Sequence, residues 1–376
     1  MPRGSDLLRP EPSAWGEGIA GLLLNPRLTS ELTAGVLAAS FPDLPDHLWL
    51  ATSGTSGKLK LVALSRAALE ASARAVNTHL GATAADVWIN PLPLFHVGGL
   101  GVLARAALVG ARSERLAVWD AASFVHQASS CRATLSSLVP AQVHDLVASG
   151  LRAPEALRAV VVGGGALDAG LRQSAAALGW PLLPSYGLTE TASQVATAHP
   201  GDPAASWLPL LGHGEARTDA HGILHLRGAS LLTGWLVFGR DGAAIWEDPK
   251  AEGWLPTSDR AEVRGREIRV LGRRDDLVKI RGELVDLGAL ERTLQAQVAG
   301  GGVRLAPEPD DRNGLALRVV AENATAAAEA RAALDLFPPY ARPTRVDIGP
   351  ITRTALGKII RPAGGGGALR SVESKT

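Results

Sequence analysis

The chain has 376 residues, 46% hydrophobic and 20% charged, with a formal net charge of +1 at pH 7. That length allows a large domain and a small one, each able to bury its own core. The near-neutral balance argues against a nucleic-acid footprint or a polybasic membrane anchor, and the single cysteine, Cys131, excludes an internal disulfide and a multi-cysteine zinc site.

No run of 18 or more apolar residues suggests a membrane span, and the first residues lack the basic-then-apolar pattern of a secretory leader. With one thiol, which reads as a packed small residue, a reducing cytoplasmic location is the expectation. No repeat of 20–50 residues indicates a solenoid or propeller.

In chain order, residues 47–52 read as a strand entering a glycine loop, and 65–80 as a helix with Ser65 as its N-cap. Residues 87–91, 133–139 and 159–162 read as strands, the last ending in Gly163-Gly164-Gly165, with a helix over 167–178. Strands alternating with helices predict an α/β fold with a mostly parallel, helix-covered sheet. After about residue 205, short alternating segments such as 222–228 predict a β-rich subdomain reaching about 271. The polar stretch Gly272-Arg273-Arg274-Asp275-Asp276 reads as a hinge. Beyond it, strands over 277–280 and 315–321 and helices over 287–297 and 325–336 predict a small α+β domain. The expected division is therefore 1–272, 273–362, and a disordered glycine-rich tail over 363–376.

The segment Thr52-Ser53-Gly54-Thr55-Ser56-Gly57-Lys58-Leu59-Lys60 combines glycines that free the backbone N–H groups with hydroxyls and ammonium groups. Those are the donors that hold phosphate oxygens, although a solvated Ser/Gly turn has the same composition. It is not a P-loop of the Gly-x4-Gly-Lys-Ser/Thr kind. The chain uses 6 Lys against 32 Arg, and four of those lysines (Lys58, Lys60, Lys279, Lys358) lie inside the segments that follow.

From this loop onward the chain resembles the adenylate-forming superfamily of acyl- and aryl-CoA synthetases, luciferases and peptide-synthetase adenylation domains. Six ordered blocks carry the likeness: Thr52 to Lys60; Val161-Val162-Gly163-Gly164-Gly165-Ala166; Ser185-Tyr186-Gly187-Leu188-Thr189-Glu190-Thr191; Trp254-Leu255-Pro256-Thr257-Ser258-Asp259; Gly272 to Gly282; and Ile351-Thr352-Arg353-Thr354-Ala355-Leu356-Gly357-Lys358-Ile359. The resemblance implies a large domain joined to a mobile C-terminal one, and ATP, Mg²⁺ and coenzyme A as co-substrates. It assigns Lys358 to the attacking carboxylate and the α-phosphate, Thr189 to the α-phosphate, Glu190 to Mg²⁺, and Tyr186 with Gly187 to the adenine side. By the same likeness Gly163, Gly164 and Gly165 border the adenine, and Asp259 and Arg273 hold the ribose. Asp275 becomes the hinge, with Lys279 and Gly282 beside the pantetheine path. Ser258 departs from the family's glycine, and the stretch before the phosphate loop is short.

Within the superfamily, Tyr186 to Thr197, with Ser193 and Gln194 after the shared signature, is most similar to o-succinylbenzoate–CoA ligases of menaquinone and phylloquinone synthesis. Pro93-Leu94-Phe95-His96-Val97-Gly98-Gly99-Leu100 agrees with that, His96 being placed by resemblance at the acid pocket or the CoA thiol. The partners implied are a small carboxylic acid, ATP and CoA, with oligomeric state left open. Another acyl- or aryl-CoA ligase, an enzyme passing the adenylate to a carrier-protein thiol, and a non-catalytic nucleotide-binding paralogue remain alternatives at this point.

Overall fold

The computed structural model describes residues 1–9, 15, 21–26, 28–53, 59–202, 204–239, 243–280, 283–310 and 314–353. They gather into two compact units, residues 1–271 and the residues from 272 onward.

The first unit is organised by a six-stranded sheet in the order Arg112–Arg115, Val87–Asn90, Leu135–Leu138, Ala159–Val162, Leu182–Leu188, Ser193–Thr197. The first five strands run parallel and the last is antiparallel. Parallel strands need crossovers, and the helices that supply them cover both faces. Side-chain alternation splits the core accordingly. Ile89 and Val160 join Phe124, Val143, Leu146 and Trp180 on one face. Trp88 and Val161 join Val76, Leu80, Val102 and Ala106 on the other.

Local chemistry sets the helix ends. The helix Arg66–Leu80 begins where Ser65 Oγ accepts from the Ala68 N–H at 3.1 Å and stops at Gly81 in the left-handed region. The helix Ala169–Ala177 is shorter than the expected 167–178 because Asp168 caps it, its side chain accepting from the Leu171 N–H.

The phosphate-loop segment departs from the single loop expected over 52–60. Thr52 and Ser53 end the strand His47–Ser53, and Leu59 and Lys60 begin its antiparallel partner Leu59–Ser65, with Thr52 opposite Lys60. Leu61, Val62, Ala63 and Leu64 are each 0% exposed, and a run buried on both faces belongs inside a sheet. This hairpin lies outside the parallel sheet, in a five-stranded one with Gly21–Leu23, Gly234–Phe238 and Ala244–Glu247. The pair Gly234–Phe238 and Ala244–Glu247 therefore does not serve the β-rich subdomain read from the sequence. Trp235, Leu236 and Val237 pair with Val62, Leu61 and Lys60 instead. The remaining β-rich strands form their own sheet, in the order Leu208–Pro209, Glu267–Arg273, Leu255–Arg264, Ile223–Gly228, Gly214–Thr218.

The second unit contains the hairpin Leu277–Ile280 and Glu283–Asp286, and a sheet of Val303–Asp310, Gly314–Ala321 and Arg345–Ile348. Asp286 caps the helix Leu287–Gln295, which ends two residues before the expected 297. The expected helix over 325–336 divides into Ala324–Ala332 and a 3-10 turn Leu334–Leu336. Pro338 forces Phe337 into extended backbone (ψ 141°), so the α-helix cannot run on into it. The core is Leu294, Val303, Leu305, Val319, Ala327 and Phe337. Among the described residues, no helix is long and apolar enough to cross a membrane.

Candidate active site

In open parallel sheets, ligands bind outside the carboxyl ends of the strands, where the strand order reverses. Here the chain enters at Val87–Asn90, places Arg112–Arg115 on one side and then continues from Leu135–Leu138 on the other. Three of the sequence blocks leave the sheet at those carboxyl ends. Asn90 leads into the stretch ending at His96, Val162 leads into Gly163-Gly164-Gly165, and Leu188 leads into the 3-10 turn Thr189–Thr191.

The signature turn is held by its own hydroxyl. The Leu188 N–H donates to Thr191 Oγ1 at 2.9 Å, and that hydroxyl donates to the Ser193 carbonyl at 2.8 Å. Ala192 (φ 51°) and Ser193 (φ 104°) both sit at positive φ, a conformation that non-glycine residues adopt only where the surroundings impose it. Gly187 is required there, since a Cβ would collide with the Ser193 carbonyl. The Leu232 N–H donates to the Glu190 carbonyl at 2.8 Å and tethers the turn. Lys250 fixes that tether, its ammonium donating to the carbonyls of Leu232 (2.8 Å) and Thr233 (3.0 Å).

Tyr186 and Asp259, from separate blocks, meet directly: the Tyr186 hydroxyl donates to Asp259 Oδ2 at 2.6 Å. Asp259 is 7% exposed and its N–H donates to Thr257 Oγ1 at 3.0 Å. Ser258 lies between two buried residues on the strand Leu255–Arg264 and is half-buried. Strand alternation turns it to the face opposite Thr257 and Asp259, which accommodates a side chain where the family has glycine. Gly164 adopts φ +80°, and Ser185 Oγ donates to the Val162 carbonyl beside the glycine turn.

His96 precedes the helix Val97–Val109 and lies against Phe95, ring centroids 4.7 Å apart. Its Nε2 is buried without a hydrogen-bond partner, and burial lowers its pKa to about 4. The ring is therefore neutral at pH 7.

Sequence reasoning missed Arg105. It lies on the helix Val97–Val109, is 1% exposed, and donates to Ser137 Oγ (3.2 Å) and Ser193 Oγ (3.1 Å). Among the described residues no carboxylate pairs with it, and its Nε has no partner. Burial lowers its pKa to about 10, so it stays charged at neutral pH. The Trp88 ring lies beside it, centroid 5.7 Å from Cζ, yet a buried cation without a carboxylate still costs several kcal/mol. The available signal was a single arginine in the otherwise apolar run Leu100 to Val109. Gln194, the neighbour of Ser193, is 4% exposed and donates to Thr197 Oγ1 at 2.8 Å.

The structure thus joins Tyr186 to Asp259, and Ser193 to Arg105. Lys60 is met by Trp235, its ammonium 3.6 Å from the ring centroid. Thr189 and Glu190 are half-buried on the tethered turn. Arg273, Asp275 and Lys279 belong to the second unit. Asp275 lies in the 3-10 turn Arg274–Asp276, and Lys279 points outward between buried Val278 and Ile280. Gly54, Thr55, Ser56, Gly57, Lys58, Gly282 and Lys358 lie outside the described residues, as does the side chain of Ser53. Among the described residues, no group of three or more His, Cys, Asp or Glu is placed to hold a metal ion by itself. One carboxylate such as Glu190 fits Mg²⁺ that arrives with a nucleotide, because that ion keeps its waters and phosphate oxygens and takes only one or two carboxylates.

The glycine turn after Val162 and the Tyr-Gly-x-Thr-Glu turn thus stand at the carboxyl ends of the parallel sheet, with Asp259 hydrogen-bonded to Tyr186 beside them. Residues 46–217, a little under half of the chain, match the family described as AMP-binding enzyme.

The particular likeness is to the 2-succinylbenzoate–CoA ligases. The enzyme of that name from Escherichia coli K12 is 32% identical over 292 residues, covering 77% of this chain and 62% of the relative. Its Bacillus subtilis 168 counterpart is 30% identical over 267 residues, 67% of this chain and 54% of the relative. This chain therefore spans less than two thirds of the length of those relatives. The o-succinylbenzoate CoA synthetase of Bacillus subtilis, solved with its acyl-adenylate intermediate, superimposes with a TM-score of 0.73 at 26% identity, covering 84% of this chain and 68% of that one. The same synthetase with ATP and magnesium gives a TM-score of 0.72 at 25% identity, with the same coverage.

Proposed function

We propose that this protein is an AMP-forming acid–CoA ligase acting on o-succinylbenzoate, with ATP, Mg²⁺ and coenzyme A as co-substrates. The observation that carries the acid assignment is Arg105, a buried guanidinium without a carboxylate partner among the described residues, bonded to Ser193 of the signature block. A dicarboxylic acid offers one carboxylate to the reaction and a second to such a site, where a charge-assisted pair forms in a dry environment. The similarity to 2-succinylbenzoate–CoA ligases supports the same reading.

In the first half-reaction an oxygen of the reacting carboxylate bonds to the α-phosphorus of ATP as the bond to pyrophosphate breaks. In the second, the CoA thiol displaces AMP from the acyl carbon, with loss of its proton. Two anions meet in the first step, so N–H groups, hydroxyls and cations must offset their repulsion. Thr52 to Lys60 is the segment suited to the outer phosphates, Thr189 to the α-phosphate, and Lys358 to both reacting groups. Mg²⁺, held by Glu190 with phosphate oxygens, would neutralise charge on the triphosphate. Tyr186, hydrogen-bonded to Asp259, orients the carboxylate that receives the ribose hydroxyls. Gly163, Gly164 and Gly165 border the adenine. Neutral His96 is suited to an uncharged contact with the acid or the CoA thiol. Asp275 serves as the hinge of the second unit, with Arg273, Lys279 and Gly282 contributing from it. The buried lone arginine favours a dianionic acid over a simple fatty acid within the same chemistry.

The test is pyrophosphate release with ATP, Mg²⁺ and CoA over a panel of acids. Turnover with o-succinylbenzoate at least tenfold above benzoate and medium-chain fatty acids is expected, with the CoA thioester as product. Equal rates across the panel overturn the acid assignment, and an adenylate that CoA does not consume overturns the ligase assignment.

A further inference from the structure

Lys60 is the one lysine of the phosphate segment among the described residues, and its surroundings are unusual. It has no ion pair among the described residues. Its ammonium stands 3.6 Å from the centroid of the Trp235 ring, on the strand paired with its own. The ring is itself oriented, because Trp235 Nε1 donates to Glu247 Oε2 at 3.0 Å from the next strand.

The faces of this sheet say where the pair lies. Leu61, Ala63 and Leu236 pack with Phe41 and Trp49 on one side. Val62, Leu64 and Trp235 pack on the other, with Phe95, Leu100 and Ala192. Lys60 is two residues from Val62 on the same strand and so shares that second face, as does Thr52 directly opposite it. This is the face toward the signature turn. Leu232, three residues before Trp235, donates to the Glu190 carbonyl.

We propose that Trp235 is a positioning residue for triphosphate binding: its ring, oriented by Glu247, holds the Lys60 ammonium on the site face before the nucleotide arrives. A free lysine side chain samples many rotamers, and fixing one of them costs binding free energy that the ring offsets in advance. An ammonium seated on an aromatic face still has donors for phosphate oxygens on its open side. The inference rests on the reading of Lys60 as a phosphate ligand given above. It adds a partner that nothing in the phosphate segment itself announces, because Trp235 lies 175 residues further along the chain.

The experiment is a double-mutant cycle read by calorimetric titration of ATP with Mg²⁺ into the full chain. Trp235→Leu is expected to weaken ATP binding by about 3- to 30-fold, the range of a partly desolvated cation–π contact. Trp235→Phe, which keeps an aromatic face, is expected to recover most of that loss. In a Lys60→Met background, Trp235→Leu is expected to change ATP affinity by less than about 2-fold, because there is no charge left to place. Should Trp235→Leu fail to fold, Trp235→Met takes its place in the cycle. Equal losses from Trp235→Leu with and without Lys60, or a loss in Trp235→Phe as large as in Trp235→Leu, overturn the proposal and leave Trp235 as packing. If Lys60→Met alone leaves ATP affinity unchanged, the phosphate reading of Lys60 fails and takes the proposal with it. If Lys60→Met weakens binding and Trp235→Leu does not, only the proposal fails.

Discussion

The two edges of the parallel sheet are built on opposite rules. At the amino ends of its strands stand Asp86, Thr134 and Arg158, one just before each of three neighbouring strands. Asp86 is 6% exposed and fully engaged: Arg158 donates to both its oxygens at 3.0 Å, Thr134 Oγ1 at 2.7 Å and the Thr83 N–H at 2.9 Å. Burial alone would raise the Asp86 pKa, but these donors outweigh it and lower it to about 2. Arg158 also donates to the Leu80 carbonyl at 2.7 Å. At the carboxyl ends the polar groups are left wanting. Among the described residues Arg105 has no carboxylate, and His96 Nε2 and Gln194 Oε1 have no partner, while Ala192 and Ser193 carry positive φ. One edge spends its polar groups on the fold; the other keeps them for a ligand.

The contrast makes graded predictions. The largest effect belongs to the amino edge. Asp86→Ala removes the buried acceptor shared by the exposed Arg158, the Thr134 hydroxyl and the Thr83 N–H, and is expected to destabilise the protein by about 3 kcal/mol. The remaining folded fraction keeps normal activity, as thermal denaturation and a rate per folded molecule would check. An activity loss without a stability loss would break the comparison.

His96 comes next. Its folded pKa of about 4 lies below the ordinary 6.5, so between those values the unfolded chain binds more protons than the folded one. Stability is therefore expected to be full above pH 6.5 and to decline as pH falls toward 4, by up to about 3 kcal/mol from this group. Denaturant titrations at pH 7 and pH 4.5 check this, and His96→Asn should flatten the slope. An unchanged slope in that variant would place the acid sensitivity elsewhere.

Arg105→Met has the smallest effect in these terms and the most selective one. It is expected to lower acid-dependent pyrophosphate release about 100-fold, the value of one charge-assisted anchor. Stability should hold or rise, since an unpaired buried charge is replaced by an apolar side chain. A melting temperature that falls by ten degrees would recast Arg105 as part of the scaffold.

Much of this molecule was legible before its structure. The strand Ala159–Val162 and its glycine turn, the Ser65 cap, and the strand Leu277–Ile280 follow from burial patterning and cap chemistry acting within a few residues. The strand beginning at Leu59 was not, because hydroxyl and glycine content made the whole segment resemble a loop. Its strand character comes from partners, among them Gly234–Phe238, far along the chain. Arg105 was illegible for a related reason. An arginine on a helix is ordinarily a solvated one, and only burial against Ser137 and Ser193 sets this one apart.

The sequence by itself determined the order of the chemical blocks and most of the helices and strands that carry them, since those depend on neighbours a few positions away. Tertiary structure alone decided which groups meet: Tyr186 with Asp259, Lys60 with Trp235, and Arg105 with Ser137 and Ser193. Such pairings depend on strand register and sheet order, which bring together residues dozens to hundreds of positions apart.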